Sequence, residues 1–264
     1  MTSKTPLRIR TAIVSNRLLA RLTRGIEAVH GGVWLGLLDG DQLAGATSSM
    51  YSDHSYYAEL DYNTSGLLEW EREAVELHFP PGGRVLVASA GGGRELFGLE
   101  AMGFHPTGFD PSEHLVSVGR GLIEERGSSA ELLLSEPDSV PEGLDPPYDA
   151  IVFGWAGYIH VRGRSTRVAF LERLRELVPK GAPLLISFFL RSGEGRQFTV
   201  ARNVGAAIRR VRRVGEPVEM GDTVAGMFEH YFTWAEVEKE LADAGFSVVS
   251  SSGAAFPHIV GRAV

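Results

Sequence analysis

Short apolar runs alternate with amphipathic stretches from residue 84 to the C-terminus. Each run has the length of a buried strand, and the stretches between the first runs repeat their apolar residues at helical spacing. This alternation predicts an α/β fold, with a Rossmann-like, mostly parallel seven-stranded sheet and helices on both faces. Five predicted parallel strands and a final antiparallel pair lie at 84–88, 106–109, 130–134, 149–153, 183–190, 246–250 and 255–264.

Residues that favour helix ends mark the boundaries of the predicted helices. Ser112 suits the start of one helix, because its hydroxyl can accept from a free backbone NH, and Gly127 suits the end of the same helix. Thr233 and Glu236 have the spacing of a capping box, which predicts the start of the last helix. That helix is predicted to end at Gly245.

The N-terminal segment is basic and amphipathic. Apolar residues recur near helical spacing from Leu7 to Val29, and the first 24 residues hold six basic residues and no acid. Such a helix suits a membrane surface or a targeting peptide, and it also suits docking on the rest of the chain. We favour docking, because the apolar pattern continues through Ile26 and Val29 and no small-residue cleavage site follows a long apolar run.

The chain is predicted to have two parts. A helical cap and lid segment covers 1–65, and the α/β domain covers 66–264 with an Arg-rich insertion at 191–227. Two interpretations of the arginines in the insertion stay open, a solvated helix face and a site for an anionic substrate.

Composition excludes several function classes. The chain has 264 residues, a net charge of −7 and no cysteine, which excludes a disulfide scaffold, a thiolate zinc site and a cysteine nucleophile. The acidic balance argues against a nucleic-acid partner, and no stretch reaches the roughly 18 apolar residues of a membrane span. We expect a cytoplasmic protein with a small-molecule substrate and no nucleic-acid or membrane partner, and we leave homodimer formation open.

The segment from Val85 to Glu95, VLVASAGGGRE, runs from a predicted strand through three glycines into a predicted helix. Glycines let a ligand approach the backbone, and a helix N-terminus offers free NH groups to an anion. The dinucleotide fingerprint needs a third glycine where Leu96 stands, and a phosphate-binding P-loop needs Gly-Lys-Ser/Thr where Gly93 is followed by Arg94. The spacing therefore excludes a P-loop and disfavours NAD.

The same segment resembles the first motif of the class I S-adenosylmethionine-dependent methyltransferases. Gly91 and Gly93 match the last two glycines of that motif, whereas Val87 stands at its acidic position and Ser89 at its first glycine. Asp110 ends the second predicted strand, where the family has a carboxylate that accepts from both ribose hydroxyls.

The resemblance continues through SEPDSVP, GWAGYIH, LVPKGAPLLISFF and FTWAEVEKELADAGFSVV, and it covers roughly 67–264. It implies S-adenosylmethionine as cofactor. The residues that it places at the cofactor are Ser89, Ala90, Gly91, Gly92, Gly93, Asp110, Pro111, Glu136, Gly154, Trp155 and Tyr57.

The sequence DPPY at residues 145–148 matches a motif of methyltransferases that act on DNA bases. In those enzymes the motif follows the fourth strand and lines the pocket for a flipped base. Here it precedes the apolar run at 150–153, so we predict a proline turn away from the site.

Candidate catalytic groups follow the fourth strand and precede the last helix. Histidine is the side chain whose ordinary pKa suits a general base near neutral pH, and it is also a common structural hydrogen-bonding group. The candidates are His160, His230 and Tyr158, with His54 as a further histidine. No metal is expected, because no cluster of acids and Asn follows the fourth strand.

The segment from Met50 to Asn63 holds four tyrosines, which suit a lid over a small molecule or packing at the sheet edge. Together with the resemblance, this predicts methyl transfer to a small organic molecule, with oxygen as the expected acceptor. Two alternatives stay open, a non-catalytic cofactor-binding or scaffold protein of the same fold and a nicotinamide oxidoreductase.

Overall fold

A seven-stranded sheet forms the centre of the molecule in the computed structural model, which describes residues 6–53, 55–191 and 195–264. Its strands are ordered β3-β2-β1-β4-β5-β9-β8, and a separate hairpin joins β6 to β7. The strands are β1 Arg84–Ala88, β2 His105–Asp110, β3 Glu131–Leu134, β4 Ala150–Phe153, β5 Pro183–Ser187, β6 Asp222–Val224, β7 Phe228–His230, β8 Phe246–Ser252 and β9 His258–Ala263.

The first five strands are parallel, and β9 runs antiparallel to both β5 and β8. The predicted mostly parallel sheet of seven strands is therefore confirmed. The fifth strand ends at Ser187, earlier than the predicted Leu190, because Phe188 donates its backbone NH outside the ladder to the carbonyl of Pro257.

Helices cover both faces of the sheet. They are α1 Leu7–Leu37, α2 Gly40–Asp53, α3 Leu60–Asn63, α4 Glu69–His78, α5 Arg94–Ala101, α6 Glu113–Arg126, α7 Arg164–Glu176, α8 Arg196–Arg212 and α9 Trp234–Asp243. Short 3-10 helices span Ser55–Ala58 and Gly157–His160. Ser112 caps α6, Gly127 ends it, and Thr233 with Glu236 forms the expected capping box of α9.

Alternate residues of β1 pack on opposite faces, as the period of a strand requires. Val85 and Val87 join the core under α4, α5 and α6, whereas Leu86 and Ala88 join the core under α7 and α9. The strand is thus buried on both sides, which explains its continuous apolar sequence.

A third apolar core joins the N-terminal helices to the segment between β5 and α9. Its buried members are Leu35, Leu43, Ala201, Val218, Val224 and Phe228. Gly36 makes the contact between α1 and α8 close, because a Cβ there would lie 2.5 Å from that of Ile208. Arg209 donates to the carbonyl of Leu35, and Arg212 donates to that of Gly36. These two arginines cap the end of α1, a role that neither predicted interpretation included.

The expected docking of the N-terminal helix is correct only for its last part. Gly32 and Gly36 pack against α8, whereas residues 8–27 are exposed along their whole length. The apolar pattern predicted the helix correctly, but α8 begins at Arg196 and does not extend alongside the earlier residues. Among the described residues, no helix is both long and apolar enough to cross a membrane.

Candidate cofactor and substrate site

A cavity of about 610 Å³ lies at the carboxyl ends of the parallel strands. Residues after β1, β2, β3 and β4 form its floor, and α2 with the segment 57–63 forms its cover. β1 and β4 are neighbours whose connecting helices pack on opposite faces of the sheet, so the cavity lies at a topological switch point, where ligands bind in α/β sheets. Of the predicted site residues, the lining includes Tyr57, Ser89, Ala90, Gly91, Gly92, Asp110, Pro111, Glu136, Trp155 and His160.

The glycine segment forms a tight turn between β1 and α5. Ser89, Gly91 and Gly93 all have positive φ, at 55°, 54° and 98°. Ser89, which stands at the position of the first glycine of the family motif, thus has the left-handed backbone that glycine adopts most readily. Gly93 does not line the cavity, and its positive φ gives it the role of turning the chain into α5.

Asp110 holds the glycine turn in place through its carboxylate. Its carboxylate accepts from the backbone NH of Gly91 and from that of Ser112, both at 2.8 Å. Burial raises its pKa to about 6, against these two hydrogen bonds, which lower it. Each carboxylate oxygen retains a second lone pair, so Asp110 can accept two further hydrogen bonds from a ligand in the cavity.

Asn63 is a cavity residue that the sequence analysis did not select. Its amide nitrogen donates to the carbonyls of Tyr57 and Glu59, at 2.9 and 3.0 Å, which fixes the orientation of the amide. Its Oδ1 is buried and has no hydrogen-bond partner, the one such side-chain atom in the described part of the chain. A Cβ on Gly92 would lie 2.5 Å from this oxygen, so glycine is required opposite it. A buried acceptor of this kind needs a donor, and the cavity is where a ligand can supply one.

Arg94 and Glu95 tie three segments together behind the turn. Arg94 forms a two-bond ion pair with Glu71, at 2.7 Å for each bond, and also contacts Glu95 at 2.6 Å. Glu95 accepts from the backbone NH of Trp155 at 3.0 Å. The loop after β4 is thereby fixed to the start of α5, which positions Trp155 at the cavity.

His160 joins the cover of the cavity to the hairpin. Its Nδ1 lies 2.8 Å from the carbonyl oxygen of Phe228, and its Nε2 lies 2.8 Å from the hydroxyl oxygen of Tyr51. A carbonyl only accepts, so Nδ1 carries the proton and Nε2 accepts from Tyr51. Burial lowers the pKa of His160, so the ring is neutral near pH 7 and Nε2 is its basic atom.

Tyrosines form much of the cover. Tyr51, Tyr57 and Tyr62 line the cavity, and their rings contact one another edge to face at 5.1 and 5.5 Å between centroids. Burial raises the pKa of Tyr51 and of Tyr62, so both remain protonated hydrogen-bond donors at neutral pH. The predicted position of this segment over the cavity agrees with the structure, whereas His54 lies outside the described residues.

Tyr158 does not face the cavity, which corrects its selection as a catalytic residue. Its ring is buried and stacks on Phe232 with centroids 5.2 Å apart, and its hydroxyl donates to Glu240 at 2.5 Å. Gly154 does not line the cavity either. A Cβ there would lie 2.1 Å from the carbonyl oxygen of Ser89, so its role is close packing of two loops.

His230 also lies away from the cavity, which corrects the second catalytic selection. Its Nδ1 is 2.7 Å from Asp222 and 3.9 Å from Glu219. Ligand atoms of these three residues lie within 4.8 Å of one another, close enough for a metal ion. Glu219 already pairs with the buried guanidinium of Arg167 at 2.9 Å, which supplies the positive charge. We assign this cluster the role of fixing the hairpin to α7.

DPPY forms a turn before β4, as predicted. Tyr148 is buried in the core under a guanidinium, with the Cζ of Arg84 5.0 Å from its ring centroid, and it does not line the cavity. The residues after β4 that do line it are Trp155, Gly157, His160, Val161 and Arg162.

Comparison with known proteins supports the fold. No protein-family model matches the chain, and no curated protein matches its sequence. A solved structure of a Burkholderia thailandensis 1,6-didemethyltoxoflavin-N1-methyltransferase, with bound 1,6-didemethyltoxoflavin and S-adenosylhomocysteine, is similar with a TM-score of 0.57 and 17% identity, over 86% of this chain and 91% of that chain. The chain has the fold of the S-adenosylmethionine-dependent methyltransferases.

Two further structures share this methyltransferase fold. A SAM-dependent methyltransferase from Methanosarcina mazei has a TM-score of 0.56 and 16% identity, over 75% of this chain and 99% of that chain. The CcbJ methyltransferase from Streptomyces caelestis has a TM-score of 0.55 and 14% identity, over 82% of this chain and 96% of that chain.

Proposed function

We propose that the protein transfers a methyl group from S-adenosylmethionine to an oxygen atom of a small organic molecule. The observation that carries this proposal is the buried, unpartnered oxygen of Asn63, a residue that lines the same cavity as Asp110 and a neutral His160. The cavity of about 610 Å³ is of the size in which small molecules bind.

The residues of the cavity fit S-adenosylmethionine. The molecule carries two ribose hydroxyls and an ammonium group as donors, and the cavity offers the Asp110 carboxylate and the Asn63 oxygen as acceptors. Ser89 to Gly92, Asp110, Asn63, Tyr57 and Trp155 would hold it. When bound, S-adenosylmethionine supplies a methyl group on a positively charged sulfur, and this sulfur is a good leaving group.

The task of the protein is to orient the acceptor and to exclude water. Tyr51 and Phe228 give the cavity apolar surface beside His160. A substrate hydroxyl can donate to the hydroxyl oxygen of Tyr51, which itself donates to His160 Nε2. As the substrate oxygen takes the methyl group, its proton passes to Tyr51 and the Tyr51 proton passes to Nε2. Phe228 stabilises the resulting imidazolium, because its carbonyl accepts from Nδ1.

Cofactor binding is tested by titrating S-adenosylhomocysteine into the purified protein by calorimetry. We expect micromolar binding, no heat with NADH, and a loss of about tenfold or more in affinity for Asn63→Ala, since an acceptor for a charged donor is removed. Thr64→Ala is the matched control, because the Thr64 hydroxyl donates to the carbonyl of Leu60 at 2.8 Å and Thr64 does not line the cavity. Heat with NADH alone would instead indicate the oxidoreductase.

The acceptor atom is tested with His160→Gln in a screen of hydroxylated small molecules and a labelled methyl donor. We expect the turnover number to fall ~10²-fold while S-adenosylhomocysteine affinity is unchanged, because glutamine can hydrogen-bond but cannot take up the proton. Unchanged turnover would rule out His160 as the base. Cofactor binding without methyl transfer to any acceptor would favour the scaffold, which the departures at Val87 and Ser89 suggest.

A further inference from the structure

The first part of α1 projects from the molecule as a helix exposed on every side. Residues 8–27 are all exposed, and Val14, Leu19 and Ile26 have exposed fractions of 63%, 64% and 70%. At ~1.5 Å per residue this part is about 30 Å long. Most helices in proteins gain their stability from packing one face against other elements, which this part lacks within the described structure, so it is expected to gain stability from a partner.

Most basic residues of the projecting helix lie on one side and a group of leucines lies on the opposite side, a division from which Arg8, Ile13 and Val14 depart. Arginines at positions 10, 17, 21 and 24 follow intervals of seven, four and three residues, which places them in one row. The row continues into Ala28 and Leu35, which are buried against the rest of the molecule. The opposite side presents Leu18, Leu19, Leu22 and Ile26, which are all exposed, and the last two of these also border an open groove beside the start of α8.

Charge decides which partner suits this helix. A second copy packed on the leucine side would cover the apolar residues but leave both arginine rows without a partner, because residues 6–26 contain no acid. Nucleic acid would engage the arginines and leave the leucine side in water. A bilayer with anionic lipids satisfies both sides, because its acyl chains cover the apolar residues while arginine side chains reach the headgroup phosphates.

We propose that the projecting part of α1 lies in the surface of a bilayer containing anionic lipids. The exposure seen in the structure leads to this inference, although the sequence analysis expected no membrane partner. The chain has a net charge of −7 although its first 24 residues carry six positive charges, so the rest carries −13. The remainder is repelled by the same surface, so only the helix makes contact.

The test is flotation of the full-length protein with phosphatidylcholine vesicles, with and without phosphatidylglycerol. We expect binding to the mixed vesicles at low salt, weakening as salt rises, and little binding to phosphatidylcholine alone. The double variants L18Q/L22Q and R17Q/R21Q should each lower the affinity about tenfold or more. The control N16Q/T23Q changes residues that belong neither to the arginine row nor to the leucine side, and it should bind as the native chain does.

Two further measurements keep the proposal falsifiable. Circular dichroism and S-adenosylhomocysteine titration of each variant establish that the fold and the cavity are intact, since these residues are exposed and far along α1 from the cavity. Absence of binding to the mixed vesicles would falsify the proposal. A concentration-dependent dimer in sedimentation velocity that L18Q/L22Q abolishes would also overturn it, because the leucine side would then be a protein interface.

Discussion

Burial makes the carboxylate of Asp110 costly to ionise in the free protein. The proposed cofactor nevertheless needs the ionised form, because its ribose hydroxyls donate hydrogen bonds to it. Burial raises the pKa of Asp110 from about 4 to about 6, although two backbone NH groups donate to it. Below pH 6 the carboxyl is largely protonated, and one of its four lone-pair positions is then occupied by a proton. As pH rises through the pKa range of this group, cofactor affinity should therefore increase while the stability of the free protein decreases.

We expect affinity for S-adenosylhomocysteine to rise as pH increases through about 6 and then to level off, because hydroxyl donors favour the carboxylate. The free energy of unfolding of the free protein should fall as pH rises from about 4 to about 6, because over this range the folded state binds more protons than the unfolded state. Calorimetry and urea unfolding across this range measure both.

Asp138→Asn is the matched control for Asp110→Asn, because Asp138 lines the same cavity and its pKa is also raised to about 6 by desolvation. Only Asp110→Asn should remove the pH dependence of binding. An unchanged profile in Asp110→Asn would assign the titration to another group.

At single positions, the sequence identified residues in motifs and missed those that the lid brings in. Asp110 and the glycine turn follow strand ends, so their position was predictable. Asn63 belongs to no motif, and it reaches Gly92 only because the lid folds back over the turn. Tyr158 and His160 lie in one 3-10 helix, where residues two apart point to different sides, so one reaches the core and the other the cavity.

At the level of elements, α1 shows how glycines determine where a helix can pack. A Cβ at Gly36 would lie 2.5 Å from that of Ile208, whereas a Cβ at Gly25 would meet nothing within 4 Å. The helical period of the apolar residues predicted α1 itself. It could not predict where docking ends, because that depends on where α8 begins.

Alanine substitutions at these two glycines should change the free energy of unfolding in opposite directions. Gly36→Ala should lower the free energy of unfolding by ~1–3 kcal/mol, because the added methyl group forces α1 and α8 apart. Gly25→Ala should raise it by up to ~1 kcal/mol, since alanine favours the helix and has free space there. Chemical denaturation of both variants measures the difference. Equal effects would mean that the α1–α8 contact is looser than the structure indicates.

At the level of the whole molecule, alternation of strands and helices was enough to predict the seven-stranded sheet. The β6–β7 hairpin was not predicted, because its strands have three residues each and carry no clear period. The third core was not predicted either. It combines Leu35 and Leu43 with Phe228, residues far apart in sequence, so no local pattern could connect them.

This third core has a consequence for dissecting the protein. Removing the N-terminal helices would expose Ala201, Val218 and Phe228, and it would leave the guanidinium of Arg209 without the Leu35 carbonyl. Removing the hairpin and α8 would likewise uncover Leu35. The two segments, at opposite ends of the sequence, are therefore interdependent, and a minimal domain that folds must lose both or neither.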